Sequence, residues 1–511
     1  MALTLAIFVS FTAVQFQAAQ AGAQPDTVAA SQRLMEAVKA GNRPAVESLL
    51  KQPGGRAAVR TQEPDGTTAL HWAVRADDVE MVRALLRAGA NANAPTRNGV
   101  TPLVLAATNA NAVTMEALLK AGANPNWSLS EGQTVLMTAA RTGNPAAIRT
   151  LLTHGADVHA KERVAGENAL IWAAMENHAD AIAALVAGGA EVNARSQRTN
   201  YPEREFGDGK SGRLTVLPPG GWTPLMYAAR QNATAAVHAL ANAGADLNLT
   251  DPDGTTALVI AVINAHYDLA RDLLDAGADA NIGDQAGMTP LYAAVDLNTF
   301  PDTPGRPAPK PSGTLTTLEL IASLLAHGAD ANPRLHGPIL VRVHDRGDPA
   351  LSEGATPLMR AARKSDLQAM RLLLEKGADV RLANNAGGTA LMYAAGLGGA
   401  GRFAEYDPKP ATTAEQIEAA RVCLDRGADV NAVNAAGQTA LHFAVAERED
   451  GFVAFLAERG ARLDLKDRQG RTPLDVALGV GGRGRGGAPA VVRENTVALL
   501  RRLMSGTAES R

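Results

Sequence analysis

The feature that most constrains this chain is a hexapeptide that returns at a fixed interval. Thr-x-Leu-x-x-Ala begins at Thr68, Thr101, Thr134, Thr223, Thr256, Thr289, Thr356, Thr389, Thr439 and Thr472, and an eleventh form, Asn-Ala-Leu-Ile-Trp-Ala, begins at Asn168. Successive starts lie 33, 33, 34, 55, 33, 33, 67, 33, 50 and 33 residues apart. A second mark, Gly-Ala followed by Asp, Asn or Glu, recurs at Gly89, Gly122, Gly155, Gly189, Gly244, Gly277, Gly328, Gly377 and Gly427, with a variant at Gly460. A period held this often means that each unit is one supersecondary piece. Such a piece cannot bury its apolar face alone and must stack on its neighbours.

Each unit reads as two short helices. Threonine caps the first, and proline at the next position sits in the first turn, where no N–H partner is lost. Alanine-rich segments such as Thr223 to Arg230 allow close helix contact. A polar turn follows, as at Thr142-Gly143-Asn144, and then a second helix ending in Leu-Leu, as over Ile148 to Leu152. Glycine ends that helix by adopting a left-handed conformation. Composition agrees: hydrophobic residues are 46% but aromatics only 4%, so the core must be built from Ala, Leu, Val and Met.

This pattern resembles the ankyrin repeat, whose marks are T-P-L-H-x-A and a 33-residue period. Thr68-Ala69-Leu70-His71-Trp72-Ala73 and Thr439-Ala440-Leu441-His442-Phe443-Ala444 come closest. The resemblance covers 31–504 and implies an all-α ankyrin-repeat solenoid, curved, with a concave binding face. An N-terminal capping unit over 31–60 lacks the Thr motif. Repeats then start near 66, 99, 132, 166, 221, 254, 287, 354, 387, 437 and 470, and 505–511 is a tail. In such a fold His71 and His442 would hydrogen-bond neighbouring repeats.

Four insertions break the period, at 195–221, 297–314, 333–354 and 396–413. The first and third precede a Thr motif and so extend the finger turn between repeats, three units apart, or on the order of 30 Å at about 10 Å per helix layer. The second and fourth join the two helices of one unit. Per-repeat insertions often sit on a binding face. The first holds Tyr201, Phe206 and Trp222 among Arg204, Lys210 and Arg213; the fourth holds Phe403 and Tyr406. These aromatics either contact a partner or fold back over the edge of the stack. Pro304, Pro307, Pro309 and Pro311 suggest a loop of polyproline character in the second.

Before the repeats, Met1 to Pro25 carries no charged side chain, and Ala2 to Val14 is apolar. That stretch is too short to span a bilayer. Small-x-small patterns follow at Ala19-Gln20-Ala21 and Ala21-Gly22-Ala23. This is the layout of a signal peptide over 1–23, without the usual basic start. It predicts export to a bacterial periplasm or the medium. An uncleaved anchor is the alternative.

Catalytic motifs fail on context. Gly396 to Gly401 and Gly479 to Gly484 both match G-x-G-x-x-G, yet both follow a predicted helix, whereas a dinucleotide site needs a preceding strand. His154 and His159 follow the repeat pattern around one turn. His327, His336 and His344, with Asp345 and Asp348, could in principle bind a metal, but their spacing lies in an irregular loop. Cys423 is the only cysteine, which excludes a disulfide framework, and it falls on an apolar helical face. The balance of 49 basic and 52 acidic residues, net −3, argues against a general nucleic-acid binder. No cofactor, metal or catalytic residue is therefore expected.

The binding candidates lie on the first helices. Arg75, Arg141, Arg230 and Arg363, with Arg360 one turn earlier, would form a basic ridge suited to an acidic or amidated peptide surface. Trp72, Trp172, Tyr227, Tyr393 and Phe443 share one equivalent position, either as core or as anchors in the groove. The expected function is a monomeric, non-catalytic scaffold for a protein partner of unknown identity. The rival readings are a metal-dependent enzyme or accessory using 327–348, and a secreted effector or toxin-neutralising binder.

Overall fold

The computed structural model describes residues 25–198, 204–205, 214–215, 220–298, 309–337, 351, 353–398, 411–447, 450–480 and 492–508. It is all-α apart from a two-residue ribbon, Arg204–Glu205 paired antiparallel with Leu214–Thr215. Two compact units are distinguished: Met1–Gln197 with Ala235–Ala245, and Arg198–Thr234 with Asp246–Arg511.

In the first unit, helices Pro25–Lys39 and Arg43–Lys51 and a short turn of helix, Gly55–Ala58, precede the first Thr motif. First helices Ala69–Arg75, Pro102–Thr108, Val135–Thr142 and Ala169–Met175 then pack side by side. Second helices Val79–Arg87, Ala112–Lys120, Pro145–Thr153 and Ala179–Ala187 form the other layer. In the second unit the first helices run from Pro224–Arg230 to Pro473–Ala477, and the stack ends with Glu494–Ala508. No helix among the described residues is long and apolar enough to cross a membrane.

The repeated threonine does what its chemistry predicts. Thr101 Oγ1 accepts the Val104 N–H, Thr134 Oγ1 the Met137 N–H and Thr223 Oγ1 the Met226 N–H. Asn168 replaces threonine without loss, because its Oδ1 accepts the Ile171 N–H at 2.9 Å. Behind each cap the motif leucine is buried, as at Leu70, Leu103, Leu136 and Leu170, and so are the motif alanines Ala73, Ala106, Ala139 and Ala173. His71 Nδ1 accepts the Thr68 N–H at 3.1 Å, and Nε2 faces the Val100 carbonyl of the next repeat at 3.0 Å. His442 repeats this with Thr439 and Arg471.

Asparagine side chains clamp one repeat to the next. Asn126 Nδ2 donates to the Gly155 carbonyl and its Oδ1 accepts the Asp157 N–H. Asn281 makes the same pair with Gly328 and Asp330, across the second insertion. Asn332 does so with Gly377 and Asp379, across the third. The stacking contact is thus restored after the second and third added segments.

The finger turns also touch in register. Arg97 N–H donates to the Asp65 carbonyl, and Arg163 N–H to that of Glu131. This closeness is why Gly66, at φ +87°, takes no side chain: a Cβ would lie 2.9 Å from Pro95 O and Thr96 Cα. The bases of two insertions are paired. Arg198 bridges Gly220, while Leu335 N–H donates to Ala355 O and Gly354 N–H to Leu335 O.

Candidate functional site

The ends of the first helices carry the exposed cations. Each helix is only about two turns long, and of its end residues Arg75 and Arg230 stand over tryptophans of their own repeats, whereas Arg141 stands over one of the next repeat. Arg75, Arg141 and Arg230 are exposed there, and none makes a side-chain hydrogen bond or ion pair among the described residues. Each lies over a tryptophan instead. The guanidinium carbon is 5.4 Å from the Trp72 ring centre for Arg75, 5.5 Å from Trp172 for Arg141 and 5.6 Å from Trp222 for Arg230. Such stacking contributes about 0.5–1 kcal/mol at exposed sites and holds the cation in a defined place while leaving its N–H groups free.

Trp72 is further enclosed by residues that the repeat pattern alone does not single out. Its Nε1 donates to Glu63 Oε2 at 2.8 Å, Glu63 Oε1 pairs with Lys39 Nζ at 2.6 Å, and Lys39 lies 4.6 Å from the ring centre. The Lys39 ammonium holds the Glu63 carboxyl below its ordinary range. Trp222 is buried, donates to Asp251 Oδ2 at 3.1 Å and meets Tyr227 edge to face at 5.4 Å. It supports Arg230 from below rather than offering its own surface. Trp172, Tyr227 and Phe443 are half-buried.

The structure corrects three expectations. Arg360 is not part of an accessible ridge: its side chain is 3% exposed and donates from Nε to Asp296 Oδ1 at 2.5 Å. It occupies the place where other repeats carry the aromatic, and Asp296 the place where they carry the end arginine. Tyr393 is likewise core, 1% exposed, with Asn384 Nδ2 donating to its hydroxyl at 2.7 Å. Arg363 is half-buried and donates to the Leu397 carbonyl at 2.7 Å, so it is tied to the next repeat. The exposed arginines among these are Arg75 and Arg141 in the first unit and Arg230 in the second. Tyr201, Phe206, Phe403 and Tyr406 lie outside the described residues, as do Lys210, Arg213 and the leader, and of Arg204 only the backbone is described.

The histidine loop divides. His327 is committed to the fold, with Nδ1 at 2.7 Å from Ser323 O and Nε2 at 2.9 Å from Asp275 Oδ1. His336 is exposed, and His344, Asp345 and Asp348 lie outside the described residues. Among the described residues no group of three or more His, Cys, Asp or Glu could hold a metal ion. Cys423 is fully buried, and burial pushes its thiol up to about 12, far from a reactive thiolate. Gly396 and Gly398 follow the helix Ala390–Ala394 rather than a strand, and Gly479 follows the helix Pro473–Ala477; 399–401 and 481–484 lie outside the described residues.

A family model for ankyrin repeats, in three copies, matches residues 34–128, 111–196, 225–301, 315–404 and 411–483. No curated protein matches the chain.

Proposed function

The chain belongs to the ankyrin-repeat family, and we propose that it is a non-catalytic scaffold that binds an acidic segment of a partner protein on its first helices. The observation that carries this reading is the recurrence of an exposed arginine, unpaired among the described residues and braced on tryptophan, at Arg75, Arg141 and Arg230. A braced guanidinium loses little freedom when a carboxylate arrives, and its planar fork suits bidentate pairing. In the first unit Arg75 and Arg141 stand two repeats apart on one helix layer, which suits an extended segment. Arg230 offers the same chemistry in the second unit.

The same proposal includes export. Its support is the uncharged apolar stretch over Ala2 to Val14 followed by small-x-small patterns up to Ala23. N-terminal sequencing of protein from the cell envelope and the medium tests it. A mature end between Gln20 and Asp26 is expected, whereas an intact Met1 in the cytosol would overturn it.

Capture of partners from envelope and medium tests the binding reading. The wild-type chain is compared with Arg75→Glu/Arg141→Glu/Arg230→Glu. One partner retained by the first and lost by the second is the expected result. Equal retention by both would end the proposal.

A further inference from the structure

Three of the four tryptophans have their indole N–H satisfied: Trp72 by Glu63, Trp127 by the Gly99 carbonyl at 2.8 Å and Trp222 by Asp251. The fourth, Trp172, is the exception. Its Nε1 is shut off from water and meets no acceptor among the described residues. A shielded donor without a partner is costly, and a carboxylate that reached it would recover that cost.

The repeat spacing explains the gap. Glu63, the acceptor for Trp72, stands five residues before Thr68, and Asn384, the partner of Tyr393, five before Thr389. The same step back from Asn168 reaches Arg163, because this repeat starts 34 residues after Thr134 rather than 33. The nearby carboxylate of Glu162 is consumed by the finger turn, accepting the Val164, Ala165 and Glu167 N–H groups at 2.5, 2.7 and 3.0 Å. At Trp72 the chain builds a complete triad of tryptophan, cation and carboxylate. At Trp172 it builds the tryptophan and the cation, Arg141, and omits the carboxylate.

We infer that Trp172 and Arg141 form a receptor for one Asp or Glu side chain of a partner protein. This rests on the scaffold reading and narrows it to one anchor. One carboxylate oxygen accepts the Trp172 N–H and the other pairs with the Arg141 guanidinium, as Glu63 does with Trp72 and Lys39. Entry turns Arg141 aside, and that side chain is exposed and held only by the ring among the described residues.

The test labels the tryptophans of the full chain with nitrogen-15 and follows the four indole N–H resonances. The Trp172 resonance is assigned by its absence in Trp172→Phe, where the other three report that the fold is intact. The probe is a blocked peptide of alternating Glu and Gly, with its Gln counterpart as control. The Trp172 resonance is expected to move with the Glu peptide alone, and Arg141→Gln to weaken that peptide by about tenfold. An unmoved Trp172 resonance overturns the inference. So does a resonance that shifts, without peptide, on Glu203→Gln/Glu205→Gln/Asp208→Asn, since the chain would then supply its own acceptor. Failure here is separable from failure of the scaffold reading. Partner capture lost in the triple arginine variant but indifferent to Trp172→Phe removes this anchor and leaves the scaffold standing.

Discussion

At the residue scale, the same repeat position holds opposite chemistry in different repeats, and burial decides which role it plays. Arg141 is exposed and, among the described residues, held only by the Trp172 ring, whereas Asp296 at the equivalent place is buried against Arg360. Removing one partner of a buried pair strands the other charge. Asp296→Ala should therefore lower stability by about 3–5 kcal/mol, while Asp296→Leu/Arg360→Met should cost much less. Chemical denaturation of both variants checks this, and equal losses would contradict it. The histidines give a pH signature. Burial holds His71, His266 and His442 below the ordinary histidine value. Their neutral form is favoured by folding, so this stability is complete above about pH 6.5 and is lost as pH falls below it. His71 and His442 also need Nδ1 unprotonated to accept a threonine N–H. The denaturation midpoint should fall between pH 7 and 5, and fall less in His71→Asn/His442→Asn. An unchanged pH slope in that variant would contradict the assignment.

At the element scale, the two-helix unit depends on a turn residue in the left-handed region. Gly143 occupies it at φ +80°, but Ala110 and Ala265 occupy equivalent places at φ +56° and +58°. Ala110→Gly should stabilise the chain by about 1 kcal/mol. Gly143→Ala should destabilise it, since a Cβ would meet the His178 ring at 2.6 Å. Thermal melts of the two variants should move in opposite directions. These elements were readable in advance because Thr, Pro and Gly act locally and recur at a fixed step. The pairing of Arg360 with Asp296 was not, because it joins positions 64 residues apart and two insertions separate their motifs. The Lys39–Glu63–Trp72 cluster was missed because Lys39 precedes the first recognisable motif. The aromatic stripe misled at Tyr393, where Asn384 lies close enough to satisfy the hydroxyl and lets the whole ring bury.

At the scale of the whole molecule, no single core holds the chain together. Stability comes from each repeat's contact with its neighbours, carried by buried leucines, asparagine clamps and finger turns. The second and third insertions are tolerated because the clamp is remade beyond them, by Asn281 with Gly328 and Asn332 with Gly377. A net charge of −3 makes the exposed arginines local features on an overall acidic chain. The most direct test is hydrogen–deuterium exchange of the full chain with its captured partner. Slowed exchange over Ala69–Arg75, Val135–Thr142 and Pro224–Arg230 is the predicted result. Protection confined to second helices such as Ala112–Lys120 and Pro145–Thr153 would place the partner on the other layer and contradict the account.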